Sequence, residues 1–143
     1  MAKGFSYEEL SVGQTFGPHL YPLTRESIEQ WCRLHDQKHP LSLNSEEAQH
    51  RGYRDVVAPA GMAFIFSLQA LTHLDVMPAG VILAGKDLHL YEPPCAGDTI
   101  ETKIKVAEKY IKRDRQYVIL EFISRINGDA IAVVDRMSAI WPA

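Results

Sequence analysis

Between Ala60 and Asp75 the chain reads as a helix with apolar residues on nearly every face, and this segment restricts the possible folds more than any other feature. Met62, Ala63, Phe64, Ile65, Phe66, Leu68, Ala70, Leu71 and Leu74 surround its axis. A helix apolar all round is buried on most sides, so the rest of the chain has to supply a wrapper. Phe64 and Leu68 are four residues apart, share a face, and are expected to point into one core. Ser67, Gln69, Thr72 and His73 interrupt the segment, which is too short and too polar to span a bilayer.

The wrapper follows the helix. After Pro78-Ala79-Gly80 the hydrophobic period changes to two. Ile100, Thr102, Ile104 and Val106 alternate with Glu101, Lys103 and Lys105, the pattern of a half-buried antiparallel strand. Val118, Leu120, Phe122 and Ser124 oppose Tyr117, Ile119, Glu121 and Ile123 on the next strand. Asn127-Gly128 predicts a type I′ hairpin turn into a last strand over 129–141. A long strand from Val81 to Tyr91 must stop at Glu92-Pro93-Pro94, because proline cannot donate to the ladder. The economical packing is α+β: a curved antiparallel sheet wrapped around the long central helix. Such a sheet leaves edges, and a second copy is the usual remedy.

Ahead of the central helix the reading is less regular. Residues 5–23 carry turn-like Gly13 and Gly17 and close on an extended stretch, His19 to Leu23. Thr24 is suited to cap a helix, with Glu26 favourable in its first turn and Ile28, Trp31, Cys32 and Leu34 as its apolar stripe. Pro40 forbids that helix from passing about His39. Ser45 is a second candidate cap, Glu46 and Glu47 suit the turn after it, and Gly52 suits its end. Residues 36–44 are then a loop held between helices, a place to present reactive groups.

The 143 residues, 46% of them hydrophobic, suit one domain over 1–143. Fifteen basic and 18 acidic residues give a net charge of −3 with no basic stripe, which speaks against nucleic acid as a partner. The basic cluster Lys109 to Arg115 fits a solvated hairpin tip. Cys32 and Cys95 lack any metal or redox spacing, and MAKGFSYEEL lacks the apolar core of a signal peptide. The expectation is a soluble, cytoplasmic protein with no membrane partner.

Several phrases resemble the MaoC-like hydratase/dehydratase family of hotdog proteins, over nearly the whole chain. Leu10-Ser11-Val12-Gly13-Gln14-Thr15-Phe16 is similar to its opening, Leu23-Thr24 through Leu34 to its first helix, and Ala96-Gly97-Asp98-Thr99 to its Gly-Asp-Thr before a long strand. The family usually shows Gly-Asp-x-Asn-Pro-x-His in its active-site loop. Here those positions hold Asp36, Gln37, Lys38, His39, Pro40, Leu41 and Ser42, and the usual Asp and His fall on Gln37 and Ser42. The family's His-Gly-Met appears as Ala60-Gly61-Met62, with one residue inserted just before it. Val57-Ala58-Pro59 resembles the non-catalytic half of fused two-hotdog members.

The resemblance implies an acyl thioester, of CoA or of a carrier protein, held in a tunnel beside the buried helix. The reaction implied is hydration of a 2-enoyl thioester or its reverse, or a related enolate-type isomerisation, cyclisation or epimerisation. Such chemistry needs a proton acceptor and amide donors on the thioester oxygen, and Gly61 at the helix start matches the family's donor. Gln is no base at neutral pH and Ser alone is a poor one. A one-residue shift would return Asp36 to the Asp position with His39 as base; alternatively Asp36 ends the first helix and His39 bonds the backbone. Gln37 and Ser42, with Ala60 and Met62 beside Gly61, are candidate substrate-binding positions. Two alternatives remain: a non-catalytic subunit that shapes the tunnel of a heteromeric hotdog dehydratase, and a hotdog thioesterase, which usually needs a carboxylate on the buried helix. The resemblance implies no cofactor and no metal, and a homodimer or a heterodimer with another hotdog subunit.

Other polar residues have blander readings. His73 fits a satisfied histidine near a helix C-terminus, His89 with Asp87 the solvent face of a strand, and Asp135 with Arg136 cross-strand pairing. Cys32 reads as core.

Overall fold

The computed structural model describes residues 4–143; the first three residues of the opening segment lie outside it. Strand β1 (Thr15–Pro22) leads into helix α1 (Arg25–Leu34), two short helices α2 (Pro40–Leu43) and α3 (Ser45–His50), a 3-10 turn (Ala60–Met62) and helix α4 (Ala63–His73). Strands β2 (Ile82–Leu90), β3 (Thr99–Lys112), β4 (Arg115–Ile126) and β5 (Ile131–Trp141) complete the chain. They form one antiparallel sheet in the order β1-β3-β4-β5-β2.

The sheet follows the period-two pattern closely. Ile100, Ile104 and Val106 are fully buried on β3, as are Val118, Leu120 and Phe122 on β4. Both tight hairpins use left-handed residues at their two central positions, Arg113 and Asp114 between β3 and β4, Asn127 and Gly128 between β4 and β5. That is the twist the two-residue β3–β4 connection requires; the β4–β5 connection is longer, residues 127–130. Gly17 lies within β1 rather than in a turn before it. Its φ is 101°, the β1–β3 register shifts between Phe16 and His19, and a Cβ there would come within 3.0 Å of the Thr102 carbonyl oxygen. A bulge therefore explains this glycine better than a turn.

Helix α4 lies against the concave face of the sheet, as its composition demanded, but only half of it is covered. Ala63, Phe66, Ser67, Ala70 and Leu71 are buried. Phe66 joins Met62, Ile28, Cys32 and Ile100 in one core cluster; Ala70 and Leu71 join Leu10, Ile104, Leu120 and Trp141 in another. The expectation for Phe64 and Leu68 is overturned: they do share a face, but it lies on the side of the β2 edge and is left open, 45% and 54% exposed. One sheet covers one side of a helix, and among the described residues no second layer covers α4. Ile82, Leu83, Leu90 and Tyr91 on and just beyond β2, an edge strand, are exposed as well.

Two smaller expectations are also corrected. Residues 36–44 are not all loop, since Pro40 opens the turn of α2 as its first residue. Asn44, not Ser45, caps α3: its side chain accepts the Glu47 N–H at 3.1 Å, while the Ser45 hydroxyl accepts from Arg25 at 3.3 Å. Asn44 wins because its backbone is still extended where the helix begins.

Candidate functional site

The segment that carries the motif positions is shaped by helix endings. Thr24 opens α1 through a reciprocal bond with Ser27, and α1 ends at Leu34. Asp36 then takes a left-handed conformation, φ 50°, and the Gln37 N–H reaches back to the Cys32 carbonyl at 2.8 Å. This closes the helix in the manner of a Schellman motif. The Asp36 carboxylate points outward, 87% exposed, 3.6 Å from the Lys38 ammonium. His39 caps α2, with Nδ1 accepting the Leu41 N–H at 3.2 Å. Ser42 is nearly buried and donates its hydroxyl to the Val57 carbonyl at 2.7 Å, while the Val57 N–H bonds the Leu41 carbonyl at 2.8 Å. Each of these four side chains or its backbone thus has a local structural partner.

Segment 56–58 in turn aligns against 94–96. The Ala58 N–H bonds the Pro94 carbonyl and the Ala96 N–H the Val56 carbonyl, both at 2.9 Å. This clamps Pro59-Ala60-Gly61 at the start of the central helix. No side chain caps that start; the Met62 N–H turns back to the Pro59 carbonyl at 2.9 Å, and the positive end of the helix dipole lies here. Gly61 has a packing reason as well: a Cβ there would come within 2.6 Å of the Trp31 ring. Trp31 itself stacks on His35, ring centroids 4.1 Å apart.

Beside this helix start lies an apolar chamber of about 240 Å³, walled by Ala58, Ala60, Ala63, Phe66, Tyr91 and Val133 among others. Ala60 lines it, and Gly61 and Met62 follow on the next residues of the helix. Asp36 and Gln37 instead line a shallow cleft with Glu29, Arg33 and Lys38, and Ser42 lines a third depression with Arg25 and Ser45. Within the single chain, the motif loop and the helix start are therefore not brought into one cavity.

The structure also reveals a buried polar cluster that the sequence reading passed over. Asp135 on β5 is fully buried, with Oδ2 accepting from the Lys86 ammonium at 2.6 Å and from the Ser67 hydroxyl at 2.7 Å. Its Oδ1 is buried without a hydrogen-bond partner. The missed signal was alternation: Val133, Asp135, Met137 and Ala139 occupy one face of a strand, so the carboxylate had to share the apolar side. Cross-strand pairing holds for both residues, as expected: Asp135 meets Lys86 of the neighbouring β2, and Arg136, on the other face, meets Glu108 at 2.6 Å and Glu121 at 3.7 Å. Asp87 and His89 are 3.2 Å apart and mostly exposed, as expected.

Asp98, from the Gly-Asp-Thr phrase, is structural. Its buried carboxylate accepts from Arg54, from the Cys95 N–H at 2.8 Å and from Asn127 at 3.1 Å, joining three loops. The hydrogen bond and charge of Asp98 raise the Arg54 pKa, and Arg25 holds the Asp55 carboxyl below its usual value, chiefly through their hydrogen bond. Burial, and secondarily the charge of His73 stacked at 4.8 Å, lowers the His19 pKa. Burial also pushes the Cys32 thiol up. Among the described residues no group of three or more His, Cys, Asp or Glu is placed to hold a metal ion, and no helix is long and apolar enough to cross a membrane.

With this geometry in place, comparison with known proteins is informative. A family model described as FAS1-like, dehydratase domain region, matches residues 11–126. A UPF0336 protein of Clavibacter michiganensis is 25% identical over 126 residues, covering 84% of each chain. A MaoC-like dehydratase from Rhodospirillum rubrum superposes with a TM-score of 0.84 at 19% identity, over 98% of this chain and 99% of the other. A chain of the HadBC complex from Mycobacterium tuberculosis, a (3R)-hydroxyacyl-ACP dehydratase, superposes with a TM-score of 0.76 at 18% identity, over 90% and 96% of the two chains. The sheet and its helix are the hotdog fold that the sequence resemblance implied.

Proposed function

The chain belongs to the family of FAS1-like dehydratase regions, and on that premise we propose that it serves the hydration or dehydration of 2-enoyl and 3-hydroxyacyl thioesters as the acyl-holding half of a two-hotdog assembly. The observation that carries this reading is the contrast between the two halves of the site. The chamber beside α4 is apolar and ready for an acyl chain. The two motif positions that would hold the acid/base pair contain Gln37 and Ser42, and Ser42 spends its hydroxyl on the Val57 carbonyl. In this reading the Gly61 amide, at a helix start with no side-chain cap, donates to a thioester oxygen that becomes an enolate. The proton acceptor then comes from the partner subunit.

The partner surface is the exposed side of α4 with the free edge of β2. Phe64, Leu68, Ile82 and Leu83 are exposed there, an apolar area of the kind that marks an interface. A second hotdog subunit, identical or related, fits an unpaired antiparallel edge. The complex from M. tuberculosis offers a precedent for a heteromeric arrangement.

A second reading, an autonomous enzyme, rests on Asp36 and His39, the acid/base pair of the motif loop. Thioesterase chemistry has less support, because α4 carries no carboxylate and Asp135 is bound up with Lys86 and Ser67. The deciding experiment assays the purified chain, alone and with a hotdog subunit carrying the intact motif, against enoyl and 3-hydroxyacyl thioesters. The proposal expects an inert chain that extends the partner's activity. Turnover by the chain alone, lowered about a hundredfold or more by Asp36→Asn and by His39→Ala, the scale of a lost general base, establishes the autonomous reading in its place. Gln37→Asp with Ser42→His then tests the helix start: a gain of hydratase activity means the Gly61 region is still preorganised.

A further inference from the structure

We propose that the buried Lys86–Asp135–Ser67 cluster is a polar partition that ends the acyl chamber and restricts the protein to short acyl chains. This rests on the acyl-thioester reading above.

A second apolar chamber, of about 180 Å³, lies farther along α4, lined by Leu71 and Met137, with Ser67 and Lys86 among its walls, and bounded on its outer side by Phe64, Leu68 and Leu83, the residues assigned above to the partner surface, so that a partner would close it rather than fill it. Both chambers share the same three elements. On β5, Val133 lines the first chamber while Met137 and Ala139 line the second; Asp135 falls between them on the same inward face, because strand side chains alternate. On β2, Leu90 lines the first and Lys86 the second, and Leu88, directly opposite Asp135, lies between. On α4, Phe66 belongs to the first and Ser67 to the second. Asp135 itself lines neither chamber, and Lys86 and Ser67 line only the second; along β5 the carboxylate stands between the residues that line the first chamber and those that line the second.

The partition is held in place. Lys86 and Ser67 both bond Asp135 Oδ2, and the Lys86 ammonium lies 5.1 Å from the Phe64 ring centroid and 5.7 Å from that of Phe122, within range of cation–π attraction. It is also chemically unsuited to an alkyl chain. Asp135 Oδ1 is buried with no donor, and packing methylenes against a charged group with an unmade hydrogen bond is strongly unfavourable. A short chain stops before the cluster. A long chain has to displace it.

The test is calorimetric titration of the full-length protein with saturated S-acyl-pantetheines from butanoyl to dodecanoyl, which share the arm of CoA and carrier-protein substrates and undergo no hydration. The wild type is expected to bind butanoyl or hexanoyl at least tenfold more tightly than decanoyl or dodecanoyl. The triple variant Lys86→Met, Asp135→Leu, Ser67→Ala removes both charges together, which avoids leaving a lone buried ion, and is expected to move the preference to the longer chains. Equal wild-type affinity for butanoyl and dodecanoyl overturns the partition, as does a folded triple variant with the wild-type profile. If the triple variant does not fold, the wild-type series alone decides. No binding of any chain length overturns the acyl reading itself, a result distinct from a flat profile.

Discussion

Gly61 shows how one residue carries a packing demand and a proposed chemical role at once. Trp31 leaves no room for a side chain there, so Gly61→Ala forces an off-rotamer shift of the indole and is expected to destabilise the chain by about 1–3 kcal/mol, the scale of an overpacked core. Urea unfolding measures it, and a Trp31→Leu background should relieve most of the loss. An undiminished loss in that background would show that backbone geometry, not the indole, excludes the methyl group. His39 and Asp36 are the converse case. As a sequence they form an acid beside a base; in the fold one ends α1 and the other caps α2. Residue type suggested chemistry, but helix termini account for both positions.

Helix α4 has two apolar sides with different work to do. Phe66 is buried against the sheet, and Phe66→Ala should cost about 3–5 kcal/mol whatever the protein concentration. Leu68, expected from the helix pattern to lie in the same kind of core, is half exposed. Leu68→Ala should lower stability through association, so its loss in unfolding midpoint should change with protein concentration. A concentration-independent loss of several kcal/mol would return Leu68 to a closed core. The packing of α4 against β1 has a titration of its own. His19 stacks on His73 near the end of α4, and burial holds its pKa below the ordinary 6.5. The unfolded chain therefore binds the proton first as pH falls. The stability this contributes is complete above 6.5 and declines below it. Unfolding free energies measured from about pH 7.5 down to about pH 5 should decline, and His19→Phe should flatten part of that slope.

At the scale of the molecule, the open, apolar β2 edge and the uncovered helix face are the features on which the proposed assembly rests. Sedimentation of the purified chain should show a species near twice 16.1 kDa, or a complex with a second hotdog subunit when one is co-expressed. Leu83→Lys with Phe64→Glu should give a folded monomer by burying charge in the interface. A wild type that remains monomeric at micromolar concentration and ignores any hotdog partner would remove the assembly from the proposal.

The alternation of β3 and β4, the Asn127-Gly128 turn, the Thr24 cap and the apolar run of α4 are local patterns, and local sterics and burial are enough to specify them. They made the sheet, the central helix and their layering legible in the sequence, and the motif phrases made the family legible. The division of α4 into a covered and an uncovered side was not, because periodicity says that a face is apolar but not which surface meets it. Nor were the particular partners of Asp36, His39 and Ser42, at Lys38, Leu41 and Val57, which depend on how three short helices abut. The cluster joins Asp135 to Lys86 and Ser67, 49 and 68 positions earlier in the chain and on two other elements. Alternation alone put Asp135 on the inner face of β5. Its partners were decided only when the register of β2 on β5 and the seating of α4 brought an ammonium and a hydroxyl to the same oxygen, since a buried charge is tolerated only where the tertiary structure supplies its counter-charge and donors.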